Sequence, residues 1–295
     1  MAMLKRVFLF MAVNVLILVT ISFLLSILGV RPYLTQYGID YGQLAAFCLI
    51  WGFGGAFISL GLSRIMAKWM LGVRVIDPRQ AQGETRWLLD TVYRLAQQAG
   101  LPAMPEVGIY DSPEVNAFAT GPSKKRALVA VSAGLLQRLG KDQVEGVLAH
   151  EVSHIANGDM VTMTLIQGVV NAFVMFIARI IAYAISLNVR EENRYMVNMF
   201  TTIALEIALS ILGMMVVSYF SRIREFRADR GGAQLAGRQK MVEALSGLQR
   251  TLGLVAPEGN ASVATLKISG KPGGFLSLLA THPPLEERIR RLQTM

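Results

Sequence analysis

The chain has 295 residues, 53% hydrophobic and only 17% charged, and its 29 Lys and Arg against 20 Asp and Glu give a net charge of +9. So apolar a composition excludes an arrangement of soluble cores alone, and membrane spans must account for the excess. The basic surplus could suit nucleic acid, but no recognition fold is legible and much of the charge brackets apolar runs, so no nucleic-acid partner is expected.

The first span is read from Val7 to Leu28, an uncharged run preceded by Lys5 and Arg6 and about 33 Å long as a helix, enough to cross the hydrocarbon layer. It is too long for the apolar region of a cleaved leader, and Ser26-Ile27-Leu28-Gly29-Val30-Arg31-Pro32 offers no small-x-small cleavage site, so a retained anchor is expected. The second span runs from Tyr41 to Ser63, with Gly52 and Ala56 spaced for close contact with another helix. Only Arg31 and Asp40 are charged between them, which makes the pair a hairpin. Cys48 is the sole cysteine, so no internal disulfide is possible and nothing implies an oxidising compartment.

From Arg64 to Asp159 the chain is charged and reads as a soluble domain. Trp87, Leu88, Val92, Leu95 and Ala96 have the spacing of an amphipathic helix over Thr85 to Ala99, which Gly100 and Pro102 stop. Short strands are expected at Glu106 to Tyr110, Asn116 to Thr120 and Ala127 to Ser132. Lys124-Lys125-Arg126 makes a basic hairpin tip, either a solvated turn or a contact for lipid headgroups. The third strand, with Leu128, Val129, Ala130 and Val131, is taken as the sheet edge that binds substrate backbone, although an apolar run of this kind suits a buried central strand as well. Asp142 is expected to cap the next helix, with Glu145 completing a capping box.

That helix carries His150-Glu151-Val152-Ser153-His154. At about 100° per residue the two imidazoles fall on one face, one turn apart, where they can share a tetrahedral Zn²⁺. Glu151 lies one step round, placed to take a proton from a water that the cation acidifies. With three histidines in the chain, composition alone would give this pattern in roughly one sequence in a thousand, and clustered imidazoles on an apolar helix need something to satisfy them.

Asn157-Gly158-Asp159 interrupts the helix, and a third span follows from Met160 to about Asn188, then a fourth from about Met196 to Phe220. Arg179 and Glu206 interrupt these spans at similar depth below one surface, so they either pair or Arg179 snorkels to the short loop. Lys5 and Arg6, Arg64 and Lys68, and Arg222 and Arg224 all flank spans on the same side, which places both soluble parts in the cytoplasm. Beyond the fourth span, Glu225 and Asp229 lie four apart on one helical face. Catalytic zinc takes three protein ligands and leaves one position open; Glu225 would close the set, and Asp229 would hydrogen-bond the back of a ligating imidazole. An amphipathic helix from Arg238 to Leu252, a Gly-, Pro- and Ser-rich stretch from Ala256 to Gly274 and a charged helix from Leu285 to Leu292 complete the chain.

With these motifs in place the sequence resembles the HtpX-type membrane metalloproteases and, more distantly, the CaaX prenyl-protein zinc proteases. The resemblance runs over essentially the whole chain, through Asn116-Ala117-Phe118-Ala119, His150 to His154 with Asn157-Gly158-Asp159, and Arg224-Glu225-Phe226-Arg227-Ala228-Asp229. It implies the same roles for His150, His154 and Glu225 as zinc ligands and Glu151 as base, and a task in clearing misfolded or damaged membrane proteins at a bacterial inner membrane. By the same likeness His282, in Thr281-His282-Pro283-Pro284, would stabilise the oxyanion, and Asn116 would contact substrate; a polar turn residue is the alternative at each position.

The expected architecture is an α+β membrane protein with four transmembrane helices and a cytoplasmic zincin-like metalloprotease domain containing a small β-sheet. It divides into a transmembrane hairpin (1–63), the first part of the protease domain with the two histidines (64–159), spans three and four (160–220), and the second part with Glu225 and Asp229 (221–295). The expected function is a zinc endopeptidase, one Zn²⁺ per chain, acting on membrane-protein and unfolded polypeptide substrates beside the lipid bilayer. Its rivals are a non-catalytic scaffold with a structural metal site, which would want four protein ligands, and a transporter using Arg179 and Glu206, which would want more spans and a repeat.

Overall fold

A computed structural model describes residues 2–35, 37–254 and 274–295, so nearly all of the stretch from Ala256 to Gly274 lies outside the described residues. Four long helices carry the apolar runs: α1 (Ala2–Ile27), α2 (Tyr41–Met70), α6 (Asp159–Ser186) and α7 (Arg194–Ala236). Among the described residues α2, α6 and α7 are long and apolar enough to cross a bilayer, and α1 adds the shorter run Met11–Ile27. Val19, Phe173, Phe200 and Ile207 stand exposed on them, a surface that lipid and not water would cover. The protein is a mostly helical membrane protein with small sheets.

Two compact units divide the chain, residues 1–59 with 163–217 and residues 60–162 with 218–295. In the first, a two-stranded ribbon, β1 (Leu34–Thr35) and β2 (Gly38–Ile39), links α1 to α2. Leu44, Cys48 and Ala172 form its buried centre. Gly52 meets α6 as its spacing suggests, for a Cβ there would stand 2.7 Å from Gly168 O and Ala172 N. The two charges inside the spans find each other: Arg179 Nη1 donates to Glu206 Oε1 and to Met175 O at 3.1 Å, and its guanidinium lies 5.3 Å from the centre of the Phe47 ring. A cation in hydrocarbon is thereby neutralised, hydrogen-bonded and stacked, instead of snorkelling.

The second unit is built on a sheet in the order β3-β4-β6-β5, with β3 (Arg74–Val75), β4 (Glu106–Tyr110), β5 (Ala117–Ser123) and β6 (Arg126–Ser132). β6 lies between β4, which runs parallel to it, and β5, which runs antiparallel. This corrects the expected sheet edge. Val129 and Val131 face a core shared with α3 (Gly83–Gln98) and α5 (Lys141–Asn157), whereas Leu128 and Ala130 face the opposite core with Ala67, Val73 and Tyr110. All four are fully buried, so none can receive substrate. A strand covered on both faces reads as an unbroken apolar run, and such a run carries no mark of edge or centre. Among the described residues the sheet's edges are the two-residue β3 and the longer β5.

α4 (Ala133–Arg138) turns the chain from β6 toward α5. The start of α5 also differs from expectation. Gly140 is the N-cap, its N–H bound by the Gln143 side chain at 3.1 Å, while Asp142 and Glu145 each hold Lys240 at 2.9 Å. α5 ends at Gly158, where φ is 71°, and α6 begins at the next residue. A left-handed residue of this kind closes a helix and favours glycine. α8 (Arg238–Leu254) packs on α5, and α9 (Leu285–Gln293) packs on α8.

Two substitutions test the ion pair. Arg179→Glu and Glu206→Arg should each cost roughly 3 kcal/mol or more, because each replaces the pair with two like charges facing one another, and the double reversal should recover more than half of the combined loss. Thermal denaturation in detergent measures all three, and additive effects would deny the coupling.

Candidate active site

Three separated pieces of chain meet in the second unit. α5 supplies His150, Glu151 and His154, α7 supplies Glu225 and Asp229, and the segment around α9 supplies His282 and Arg288. The helical spacing does what the sequence suggests: the His150 and His154 rings stand edge to face, with Nε2 atoms 3.1 Å apart. Glu225 completes the group, its Oε2 3.4 Å from His150 Nε2 and its Oε1 3.3 Å from His154 Nε2.

The other ring nitrogens are held from behind. His150 Nδ1 faces Asp229 Oδ1 at 3.0 Å, and His154 Nδ1 faces Asp159 Oδ2 at 2.6 Å. With each Nδ1–H donated to a carboxylate, the Nε2 lone pairs point at one another and at Glu225. The carboxylates are braced in turn: Arg288 grips Asp229 with two bonds of 2.8 and 2.6 Å, and Arg227 pairs with Asp159.

This convergence tests whether a metal fits. Glu225 has 0% exposure, yet neither of its oxygens has a hydrogen-bond partner of good geometry among the described residues. A buried, unsatisfied carboxylate facing two lone pairs is unstable unless a cation sits among them. Ligand atoms around a tetrahedral centre with bonds of ~2.0–2.1 Å lie about 3.3 Å apart, close to the three separations found here. His150, His154 and Glu225 therefore fit a metal, and three ligands leave a position open.

The electrostatics agree. Burial opposes a charge on His150, but Asp229 and Glu225 lift its pKa to about 9, and Asp159 and Glu225 raise that of His154 against the same penalty. Burial would raise the Glu225 carboxyl, yet the facing imidazoles of His150, His154 and His282 hold it well below the usual carboxylate range. Burial opposes ionisation of Asp229 too, but Arg288 and His150 bring it down to about 2. The cluster demands positive charge at its centre, which a divalent cation supplies without protonating its ligands.

A cavity of 520 Å³ opens over the group. Glu151 lines it, half-buried, beside Asn116 and β5 residues Ala117, Phe118 and Ala119. His282 is also on its wall, Nδ1 2.9 Å from Glu225 Oε2. Every residue expected at the site is brought here except Leu128, Val129, Ala130 and Val131, which belong to the neighbouring strand. Two residues escape a reading of the sequence. Asp159 looks like a helix-breaking residue, and its signal is an acid at the first turn of an apolar span, five beyond His154. Arg288 sits among similar residues at 290 and 291, but it falls in register with Leu285 and Leu292, the buried face of α9.

The profile of peptidase family M48 matches residues 82–295. A relative from Bacillus velezensis named Protease HtpX homolog is 54% identical over 99% of both chains. Another of that name from Bacillus subtilis (strain 168) is 53% identical over 99% of both. Protease HtpX from Shewanella sp. (strain ANA-3) is 51% identical over 98% of this chain and 99% of its own. In fold the protein resembles the crystal structure of S. mikatae Ste24p, with a TM-score of 0.66 and 20% identity, over 98% of this chain and 64% of that one. This chain thus spans less than two thirds of the length of Ste24p. A metal-competent His-His-Glu cluster beneath an open strand agrees with these matches: the chain belongs to peptidase family M48 and is a membrane metalloprotease.

Proposed function

We propose that the protein is a zinc endopeptidase that cuts unfolded cytoplasmic segments of membrane proteins, with His150, His154 and Glu225 holding the metal and Glu151 acting as general base. The observation that carries this reading is the buried, unsatisfied Glu225 between two oriented imidazoles, on the floor of a cavity walled by a free strand edge. Zinc suits two neutral imidazoles and one carboxylate. When bound it would polarise the scissile carbonyl and acidify a water. Glu151 takes the proton of the attacking water and passes it to the leaving amine. His282, on the cavity wall, donates to the carbonyl oxygen as negative charge grows there, and Asn116 contacts the substrate.

β5 supports the substrate-binding part. Ser132 N donates to Asn116 O, which makes Asn116 and Ser132 a hydrogen-bonded pair of the antiparallel ladder. Pairs alternate along such a ladder, so Phe118 bonds to Ala130 whereas Ala117 and Ala119 turn their N–H and C=O to the open edge. A substrate added there lies extended beside α5, bound largely by its backbone. Sequence preference is then loose, as removal of damaged proteins requires. Leu135, Val147, Met241 and Leu245 line the cavity as well and favour an apolar side chain near the scissile bond. The basic flanks of the spans support a cytoplasmic active site at a bacterial inner membrane.

Purified protein should contain one zinc per chain and cleave casein in detergent. Glu151→Gln should retain the metal and lose at least about a hundredfold in cleavage rate, the scale of a lost general base, whereas His150→Ala should lose both. A Glu151→Gln enzyme with most of its activity would remove Glu151 from the chemistry.

The strand edge has its own test. Ala119→Pro deletes an outward N–H but no bond to β6, so the fold should survive while kcat/KM falls by about tenfold, the worth of one backbone hydrogen bond. Phe118→Pro breaks the ladder itself and should unfold the sheet. Unchanged kinetics in a stable Ala119→Pro enzyme would place substrate elsewhere.

A further inference from the structure

The hairpin that joins the open strand to the central one ends in three cations. Ser123 pairs with Arg126 across the turn, and the ladder is irregular between Thr120 and Ser123. Gly121 makes this possible: its φ is 145°, and a Cβ there would stand 2.1 Å from Arg126 O, so only glycine lets the two strands close up. The tip is therefore built to project Lys124, Lys125 and Arg126, and all three are exposed.

The acids in their neighbourhood are already committed. Glu106, at the start of β4, faces Leu128 in the parallel register and so lies at the same end of the sheet as the tip. It is held by Arg64 and, at 2.7 Å, by Lys68. Asp159 is 1% exposed and shared by His154 and Arg227. No ion pair to Lys124, Lys125 or Arg126 occurs among the described residues.

Those same neighbours mark where the chain meets lipid. Arg64 and Lys68 are the first charges after the apolar run of α2, and Asp159 is the last acid before the apolar run of α6. Lys124 packs on Gly158, where a Cβ would lie 3.3 Å from Lys124 Cε. Three exposed cations without an ion pair among the described residues thus stand near the charged end of α2 and the first turn of α6.

We propose that Lys124, Lys125 and Arg126 form a binding site for the phosphate-bearing headgroups of anionic phospholipids. Each cation near an anionic surface is worth about fivefold in affinity, and the attraction is screened by salt. The inference rests on the membrane character of the protein and not on peptide cleavage, so its test needs no activity.

The full-length protein is placed in nanodiscs of phosphatidylcholine, alone or with phosphatidylglycerol at about one third, and amide exchange is followed over residues 120–128. Phosphatidylglycerol should slow exchange there several-fold while leaving α3 unchanged, and about 0.5 M salt should cancel the effect. Neutralising all three residues (Lys124→Ser, Lys125→Ser, Arg126→Ser) should abolish the lipid dependence, and exchanging them conservatively (Lys124→Arg, Lys125→Arg, Arg126→Lys) should preserve it. Identical exchange in the two lipids, or full protection in the neutralised variant, would overturn the proposal. So would protection by soluble glycerol phosphate or by an acidic peptide in phosphatidylcholine alone, which would assign the tip to a ligand from solution.

Discussion

The second unit is organised around one buried carboxylate. Glu225 is sealed from solvent without a hydrogen bond of good geometry, a condition costing several kcal/mol for an isolated ion. The protein arranges three shells around it. Imidazoles present lone pairs, Asp229 and Asp159 fix the imidazoles, and Arg288 and Arg227 fix those aspartates. Each layer holds the orientation of the one inside it, and Arg288 also reaches the centre, its Nη1 3.6 Å from Glu225 Oε2. A metal at the centre would meet side chains that are already turned toward it, and would take the place of the positive charge that the carboxylates otherwise draw onto the imidazoles.

What was legible in the sequence follows the range of the interactions concerned. The apolar runs and the two histidines depend on composition and on spacing within one helix: the runs lie on long helices, two of which continue past the expected ends to Met70 and Ala236, and the two imidazoles share one face of α5. Glu225 and Asp229 were legible for the same reason, four residues apart on one face. The ladder order was not, because an edge strand and a central strand differ in their neighbours and Ala127 to Ser132 contains no information about them. β5 is legible as a strand but its edge position is not: Ala117-Phe118-Ala119 is a modest run whose importance comes from having no strand beside it among the described residues. Arg288 lay hidden among arginines that are solvated, and only its register with Leu285 and Leu292 distinguishes it.

The two helices that supply the His-His-Glu group reach it differently. α5 stops at Gly158, and the chain restarts as α6 with Asp159, so the residue opening that helix is also the one orienting His154. α7 runs without interruption for 43 residues and carries Glu225 and Asp229 beyond its apolar run. A carboxylate at the first turn of α6 is favoured by the helix dipole and by Arg227, so helix start and ligand orientation reinforce each other.

The order of the ligands along the chain has a consequence for biogenesis. His150 and His154 are synthesised before α6, Glu225 after the apolar run of α7, and Arg288 later still. No nascent chain can assemble the group until both intervening apolar helices have been synthesised. The His-His-Glu group thus follows the apolar helices in time, because its last member lies beyond both of them in the chain.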